Sequence, residues 1–507
     1  MVLNIMKKIM LILFVLFTMK SFAQNAVGVF NYNTDIGAPE TAGSASYDES
    51  AQTYTLKAAA FMGEQRDGCH YLYNKLEGDF RVTANFKFEG TNEIHRKIGW
   101  MVRAAEVDNS LMAGGFLYGD GLTVGQWGER SRAGMENFVD TVWASKRNYE
   151  IIQLERKGNE FTVRAAQRGE PLECICSKKL NSMPKEALVG IAISSHNVDI
   201  RETAKVWNVR IDRSVGDEDK PTGDGWLGCR METMNVFDGV RKVIYEKDGR
   251  FEAPNWMPDG KKLLFNMDGA LYTIPCGGGD IEKVNTGTAD KLNNDHCISF
   301  DGKRLGISHN SGKGSNVYFL PVEGGVPQQI TFEAPSYLHG WAPNNEDVVY
   351  VAQRNGRPVY DIYRKSINGG AEVKLTHTQK FEHVDGCEYS PDGKYIYYNG
   401  SKNGGTMQIW RMNPDGSEKE QLTFDEYNDW FPHISPDGKW MVFISFPPDI
   451  ELNAHPSYQR VMLRMMPTAG GAPQVIAHLY GGQGTINVNS WAPDSQHIAF
   501  VSNSGKK

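Results

Sequence analysis

Six turns of one kind recur through the second half of this 507-residue chain, and they restrict its fold more than any other feature. Ser390-Pro391-Asp392-Gly393 and Ser435-Pro436-Asp437-Gly438 carry the full form. Met257-Pro258-Asp259-Gly260, Ser299-Phe300-Asp301-Gly302, Ala342-Pro343-Asn344-Asn345 and Ala492-Pro493-Asp494-Ser495 are variants of it. Their last residues, 260, 302, 345, 393, 438 and 495, lie 42, 43, 48, 45 and 57 residues apart. That period is the length of a four-stranded propeller blade and not of a helical repeat. Proline presets φ at the second position, aspartate tolerates the turn, and glycine accepts the positive φ that follows. Strand-like runs follow each turn, such as 304–307, 440–444 and 497–501, and shorter apolar runs precede it. The turn therefore joins two antiparallel strands of one blade.

The last repeat stops short, because only six residues follow 497–501. Ahead of the first turn, 232–237 and 241–246 are strand-like and meet at Asp238-Gly239. These are expected to supply the outer pair of a sixth blade whose inner pair comes from the C-terminus. Residues 231–507 thus read as a six-bladed β-propeller. With the turn forms quoted above, the stretch 233–504 resembles the propeller of the TolB family, periplasmic partner proteins of the outer-membrane-linked Tol system. The resemblance implies an envelope protein as partner. It does not extend to the N-terminal part, which lacks the small α/β domain of that family and any counterpart of its partner-binding segment.

At the start, Lys7 and Lys8 precede an apolar run, 9–19, and Ser21-Phe22-Ala23 offers small residues for cleavage. Residues 1–23 read as a secretory signal peptide. The run is shorter than the ~20 residues a membrane span needs. No membrane span is expected in the mature chain, and the protein is expected to be periplasmic or secreted. Between 24 and 213 the runs 52–58, 69–76, 79–88, 97–104, 151–157, 160–166, 187–194 and 203–211 alternate apolar and polar residues. They predict a jelly-roll β-sandwich. The stretches 67–73, 76–82 and 99–104 resemble the concanavalin/laminin-G-like sandwiches attached to secreted carbohydrate-active proteins, which implies glycan binding. Residues 214–230 read as a linker, and Asp217-Glu218-Asp219 within it lacks the spaced ligands of a calcium loop. The fold class is all-β, a sandwich followed by a propeller.

A net charge of −7 argues against nucleic acid or an anionic membrane as partner. Seven cysteines leave at least one unpaired and show no metal-site spacing. There is no Gly-x-Ser-x-Gly elbow, no His-Glu-x-x-His and no phosphate-cradling glycine loop.

Propeller ligands sit where the innermost strands converge on the channel mouth. Six positions before the end of each turn stand Pro254, His296, His339, Cys387, Pro432 and Asn489. Neighbouring residues include Asn294, Asp295, Glu382, His383, Asp385, Asn428, Asp429, His433 and Asn487. From these, His296, His339, His383, Asp385, Asp429 and His433 are the expected binding residues. His296 and His339, at equivalent repeat positions, are candidate ligands of a divalent metal, although no cofactor is required by the reading. Oligogalacturonate lyases resemble the chain in using channel histidines of a propeller, without a residue-by-residue match. A longer insertion after residue 446 adds His455. Arg364, Arg411 and Arg464 recur on third strands, where a solvated face or salt links between blades are the simplest readings. In the sandwich, Trp100 reads as core, and Trp127 as the exposed ring on which a sugar would stack, with Trp143 and Tyr118 nearby. The chain thus reads as a non-catalytic binding protein of the envelope, with a protein or glycan ligand. The alternative is a lyase or hydrolase acting on an acidic glycan through channel histidines.

Overall fold

The computed structural model describes residues 26–63, 67–90, 93–129, 138–213, 228–451 and 454–504. The signal peptide and most of the linker inferred from sequence lie outside them. Among the described residues the chain forms strands, turns and bends, with no helix. They divide into two compact units, one running to Ile211 and the other from Asp212 onward, with 169–171 assigned to the second.

The first unit consists of two seven-stranded antiparallel sheets. One runs Tyr32–Ile36, Cys69–Glu77, Glu186–Ser194, Lys97–Arg103, Met112–Tyr118, Leu122–Glu129 and Phe138–Arg147 in spatial order. The other runs Glu173–Lys179, Glu160–Ala166, Ile151–Lys157, Phe80–Glu89, Glu202–Arg213, Thr53–Ala59 and Thr41–Asp48. Leu72, Ile98, Trp100 and Val189 from the first sheet share a core with Leu56, Val82, Ile152 and Leu154 from the second. Trp100 is core, as its neighbours in sequence suggest, and its indole N–H donates across the sheets to the Ile152 carbonyl at 3.1 Å. Buried charged groups of the core find partners, as burial favours. Glu155, for example, accepts from Arg81 at 2.7 Å and Arg164 at 2.9 Å. All seven cysteines are free.

The second unit is the six-bladed propeller. Five blades are four-stranded sheets in simple sequence order, beginning at Glu252–Trp256, Leu292–Ile298, Ser336–Trp341, His383–Tyr389 and Asn428–Ile434. The sixth joins the two ends of the propeller: His497–Ser504 pairs with Gly228–Asn235, which pairs with Arg241–Asp248. A bridge from Trp491 to Ile498 supplies the innermost position. The first strands of successive blades touch one another and so line the axis.

The repeated turn earns its recurrence locally. The Ser435 hydroxyl donates to Asp437 at 2.6 Å and accepts from the Trp440 amide at 3.0 Å. Asp437 in turn accepts from the Lys439 amide at 3.1 Å, and Gly438 closes the turn at φ 72°. Ser390 and Asp392 repeat the pattern around Lys394 and Tyr395. Two side chains thus satisfy amides that the turn would leave open. Turns of neighbouring blades also touch, the Asp437 amide donating to the Ser495 hydroxyl at 3.0 Å.

Candidate functional site

Each innermost strand breaks register against its neighbour near the same place. The breaks fall between Glu252 and Asn255, Leu292 and His296, Leu338 and Gly340, Asp385 and Glu388, and Trp430 and His433. Extra residues there form bulges, which bend the strand and re-aim its side chains. Ala253, Gly386 and Phe431 adopt positive φ inside them. The bulges determine which residues of the repeat meet.

His296 and His339 show the effect. His296 keeps its place in the ladder opposite Ile307, with its bulge further up the strand. His339 is itself the residue left out of the ladder between Leu338 and Gly340. Their equivalence by counting from the turn is therefore lost in space. His296 is closed off at 1% exposure with neither ring nitrogen hydrogen-bonded, and burial pushes it down to about 4. Backbone groups of Ala253, Asn294 and Leu264 face the ring without reaching hydrogen-bonding geometry.

His339 instead meets Asp385 of the next blade, with Nε2 at 2.8 Å from Oδ1. His383 Nε2 lies 4.0 Å from the other carboxylate oxygen. Around this group the rings close in. His383 is 5.5 Å from Trp430, Trp430 is 4.6 Å from His455, and His339 is 6.2 Å from Phe431, centre to centre. His455 arrives from the insertion of the fifth blade, as a long loop at a binding face would bring it. Tyr337 and Tyr360 pack at 6.1 Å, and Tyr360 reaches His383 at 6.1 Å. Asp295, held by the Asn293 amide, completes the acidic side.

The charges are set by these neighbours. Burial opposes ionisation of Asp385, yet His339, and after it His383, hold its carboxyl well below the usual range. Burial likewise opposes a charge on His339, but the Asp385 carboxylate outweighs it and raises the histidine above its ordinary 6.5. Asp295 is pushed up to about 6 by burial, in spite of the pull of His339.

A pH dependence follows. A histidine raised in the fold contributes its stability in full below the unfolded value and loses it as pH rises through the folded one. An aspartate lowered in the fold contributes above the unfolded value and loses it as pH falls through the folded one. Both contributions coincide between about pH 4 and 6.5. Asp385→Asn is expected to cost most stability near pH 5.5 and progressively less above about pH 7. Urea unfolding of both proteins across this range measures the gap. A gap unchanged from about pH 5 to 9 would show that the pair is not ionised.

Several expected residues lie elsewhere. His433 is 3% exposed with both nitrogens engaged, Nδ1 with Glu388 at 2.8 Å and Nε2 with the Ile486 carbonyl at 2.8 Å. Asp429 is fully buried and bonded to Arg464 and Ser445. His433 ties its blade to its neighbours and Asp429 ties its own blade together, and both are committed to the protein. Arg464 joins Asp429 of its own blade to Asp425, and Arg411 pairs with Glu420 of its own blade. Trp127 corrects the sequence reading. It is half-buried against the sandwich core, its N–H donates to Asp140 at 3.0 Å, and Lys178 covers its ring. Trp143, on the outer strand, is the exposed ring at 54%. Among the described residues no three His, Cys, Asp or Glu side chains are grouped as a metal would require. His296 and His339 do not form such a group.

Tyr337, Tyr360, Trp430 and Phe431 were missed. Counting eight residues back from each turn, instead of six, reaches Tyr337, Asp385 and Trp430 together. Tyr360 carries no repeat signal.

The comparisons with known proteins bear on this unit. The TolB beta propeller domain family matches residues 340–455. An uncharacterised protein of Agrobacterium fabrum is 42% identical over 279 residues, which cover 55% of this chain and 93% of that protein. A solved TolB-like structure from Agrobacterium tumefaciens, also 42% identical, covers 55% of this chain and 99% of that one with a TM-score of 0.52. The chain belongs to the TolB-like β-propeller family. A Bacillus subtilis protein described as an uncharacterised peptidase is 25% identical over 228 residues, and the TolB-like chain spans 31% of its length. No helix among the described residues of the TolB-like protein is long and apolar enough to cross a membrane.

Proposed function

We propose that this TolB-like protein is an exported, non-catalytic binding protein of the periplasm or cell envelope, and that its propeller receives the ligand at the channel mouth. The observation that carries the reading is the convergence of His339, His383, Asp385 and His455 with Trp430 and Phe431. Three blades and one long insertion supply them, and strands alone would not need such a set. Polar groups framed by rings suit a ligand with both an apolar face and hydrogen-bonding groups. Export is supported by the charged and apolar leader at 7–19 and the small residues after it. The N-terminal sandwich, read as concanavalin-like, would add a glycan-binding surface around Trp143 and Tyr118, whose rings lie 5.8 Å apart.

The test is capture. The mature protein and a His339→Ala, Asp385→Asn variant are immobilised and exposed to one envelope extract, and retained proteins and glycans are identified by mass spectrometry. A component held by the native protein and lost by the variant is expected. Identical retention by both would overturn the mouth as the binding site.

The His339–Asp385 pair also favours a second reading. At 2.8 Å it has the geometry of an oriented base, as a lyase or hydrolase acting on an acidic glycan would need. Release of new reducing ends from such a glycan, lost in the same variant, would favour it over binding alone.

A further inference from the structure

Beside the mouth, between the second and third blades, lies an open pocket of about 310 Å³ lined by Lys291, Lys313, Asn310, Ser315, Asn293 and Tyr337. Lys291 stands before the first strand of blade two, and Lys313 and Ser315 stand on the hairpin that follows Asn310. Among the described residues neither lysine is paired with a carboxylate. The Ser315 hydroxyl is buried, on a residue 7% exposed, and has no hydrogen-bond partner. The Asn310 side-chain oxygen accepts from the Gly312 amide at 3.0 Å, which leaves its NH₂ group to donate. The wall toward the mouth is Tyr337 and Asn293, the latter tied to Asp295.

A buried hydroxyl without a partner is costly, and its retention calls for a hydrogen-bonding group from outside. Two ammonium groups, a hydroxyl and an amide donor together call for an acceptor carrying negative charge. The volume lies at the small end of ligand pockets, with room for one sugar ring. We infer that this cavity binds the anionic group of an acidic saccharide, a carboxylate or a sulfate, whose remaining units extend into the mouth. The inference rests on the mouth reading for the extended ligand, but the anion site has its own residues.

The experiment is titration calorimetry of the mature protein with a glucuronate trisaccharide, a sulfated glucose trisaccharide and neutral maltotriose. One or both charged sugars are expected to bind at least about tenfold tighter than maltotriose, and to weaken as salt rises from about 0.05 to 0.5 M. Comparison of the two charged sugars distinguishes carboxylate from sulfate. Lys291→Gln with Lys313→Gln is expected to remove about tenfold or more of that affinity. Ser315→Ala is expected to weaken binding about threefold without lowering the melting temperature, since removing a hydroxyl that has no partner in the protein breaks no hydrogen bond and relieves its burial cost. Absence of binding by both charged sugars, equal binding of maltotriose, or a lysine variant that binds like the native protein would overturn the inference. If charged sugars fail while capture still depends on His339 and Asp385, the anion site falls and the mouth stands. If charged sugars bind through the lysines while capture ignores His339 and Asp385, the reverse holds.

Discussion

A chain ending before His497 is expected to lose cooperative folding of its propeller. The strand His497–Ser504 pairs residue by residue with Gly228–Asn235, from Ser504 opposite Gly228 to His497 opposite Asn235. On its other side Ile498 bridges to Trp491. The strand buries Ile498, Ala499, Phe500 and Val501, all at 1% exposure or less. Fully burying each large apolar side chain is worth about 1.5–3 kcal/mol, so three such residues with the ladder approach the 5–15 kcal/mol that holds a typical domain together. The loss also strips cover from Met231 and Met234, which are fully buried on the partner strand. It opens the ring at the place where the propeller's first and last strands meet. Near-ultraviolet circular dichroism and urea unfolding of the truncated chain give the measurement. A cooperative transition at the native midpoint would show that the ring holds without its latch.

The largest effect of a single substitution is expected at Glu388. Its carboxylate, on a side chain 9% exposed, accepts from His433 Nδ1 at 2.8 Å, from the Ile434 amide at 3.1 Å and from the Asn489 amide group at 2.6 Å. One residue of the fourth blade thus holds the fifth blade and the segment leading into the sixth. Asn489 continues the chain by donating to the Ile434 carbonyl at 3.0 Å. Glu388→Ala leaves the His433 Nδ1 and Ile434 amide donors buried without this acceptor and takes one of two acceptors from Asn489, at a cost of about 3–5 kcal/mol. Glu388→Gln retains an acceptor oxygen and is expected to cost about half as much. Denaturant midpoints for both variants at neutral pH test the order. A loss below about 1 kcal/mol for the alanine variant would mean that water replaces the clasp.

The architecture was legible because its signals are local. Ser435 and Asp437 satisfy amides within five residues of themselves, so the turn needs nothing distant and repeats wherever a blade repeats. The sixth blade was legible by counting, since two strands were missing at one end and two were spare at the other. The sandwich strands were read nearly to the residue where alternation is clean, as at Ile151–Lys157 and Glu160–Ala166. Met112–Tyr118 escaped notice because Gly114 and Gly115 interrupt its apolar run.

The candidate site was legible in part. His339, His383 and Asp385 were nominated and do come together, and His455 joins them from the insertion. His433 and Asp429 carried the same residue types at neighbouring positions, yet Glu388 and Arg464 claim them. Residue type alone does not distinguish a group held by the protein from one left for a ligand.

From its sequence alone this chain declares its repeat, its blade count and the manner of its closure. These rest on turn chemistry and on a period of strands, both properties of short stretches. The tertiary structure decided which side chains meet. One extra residue in a strand reverses the direction of everything beyond it, and so separates His296 from His339 although the count from the turn is the same. The partners that then claim or release each polar group come from other blades, at distances along the chain that no local pattern spans.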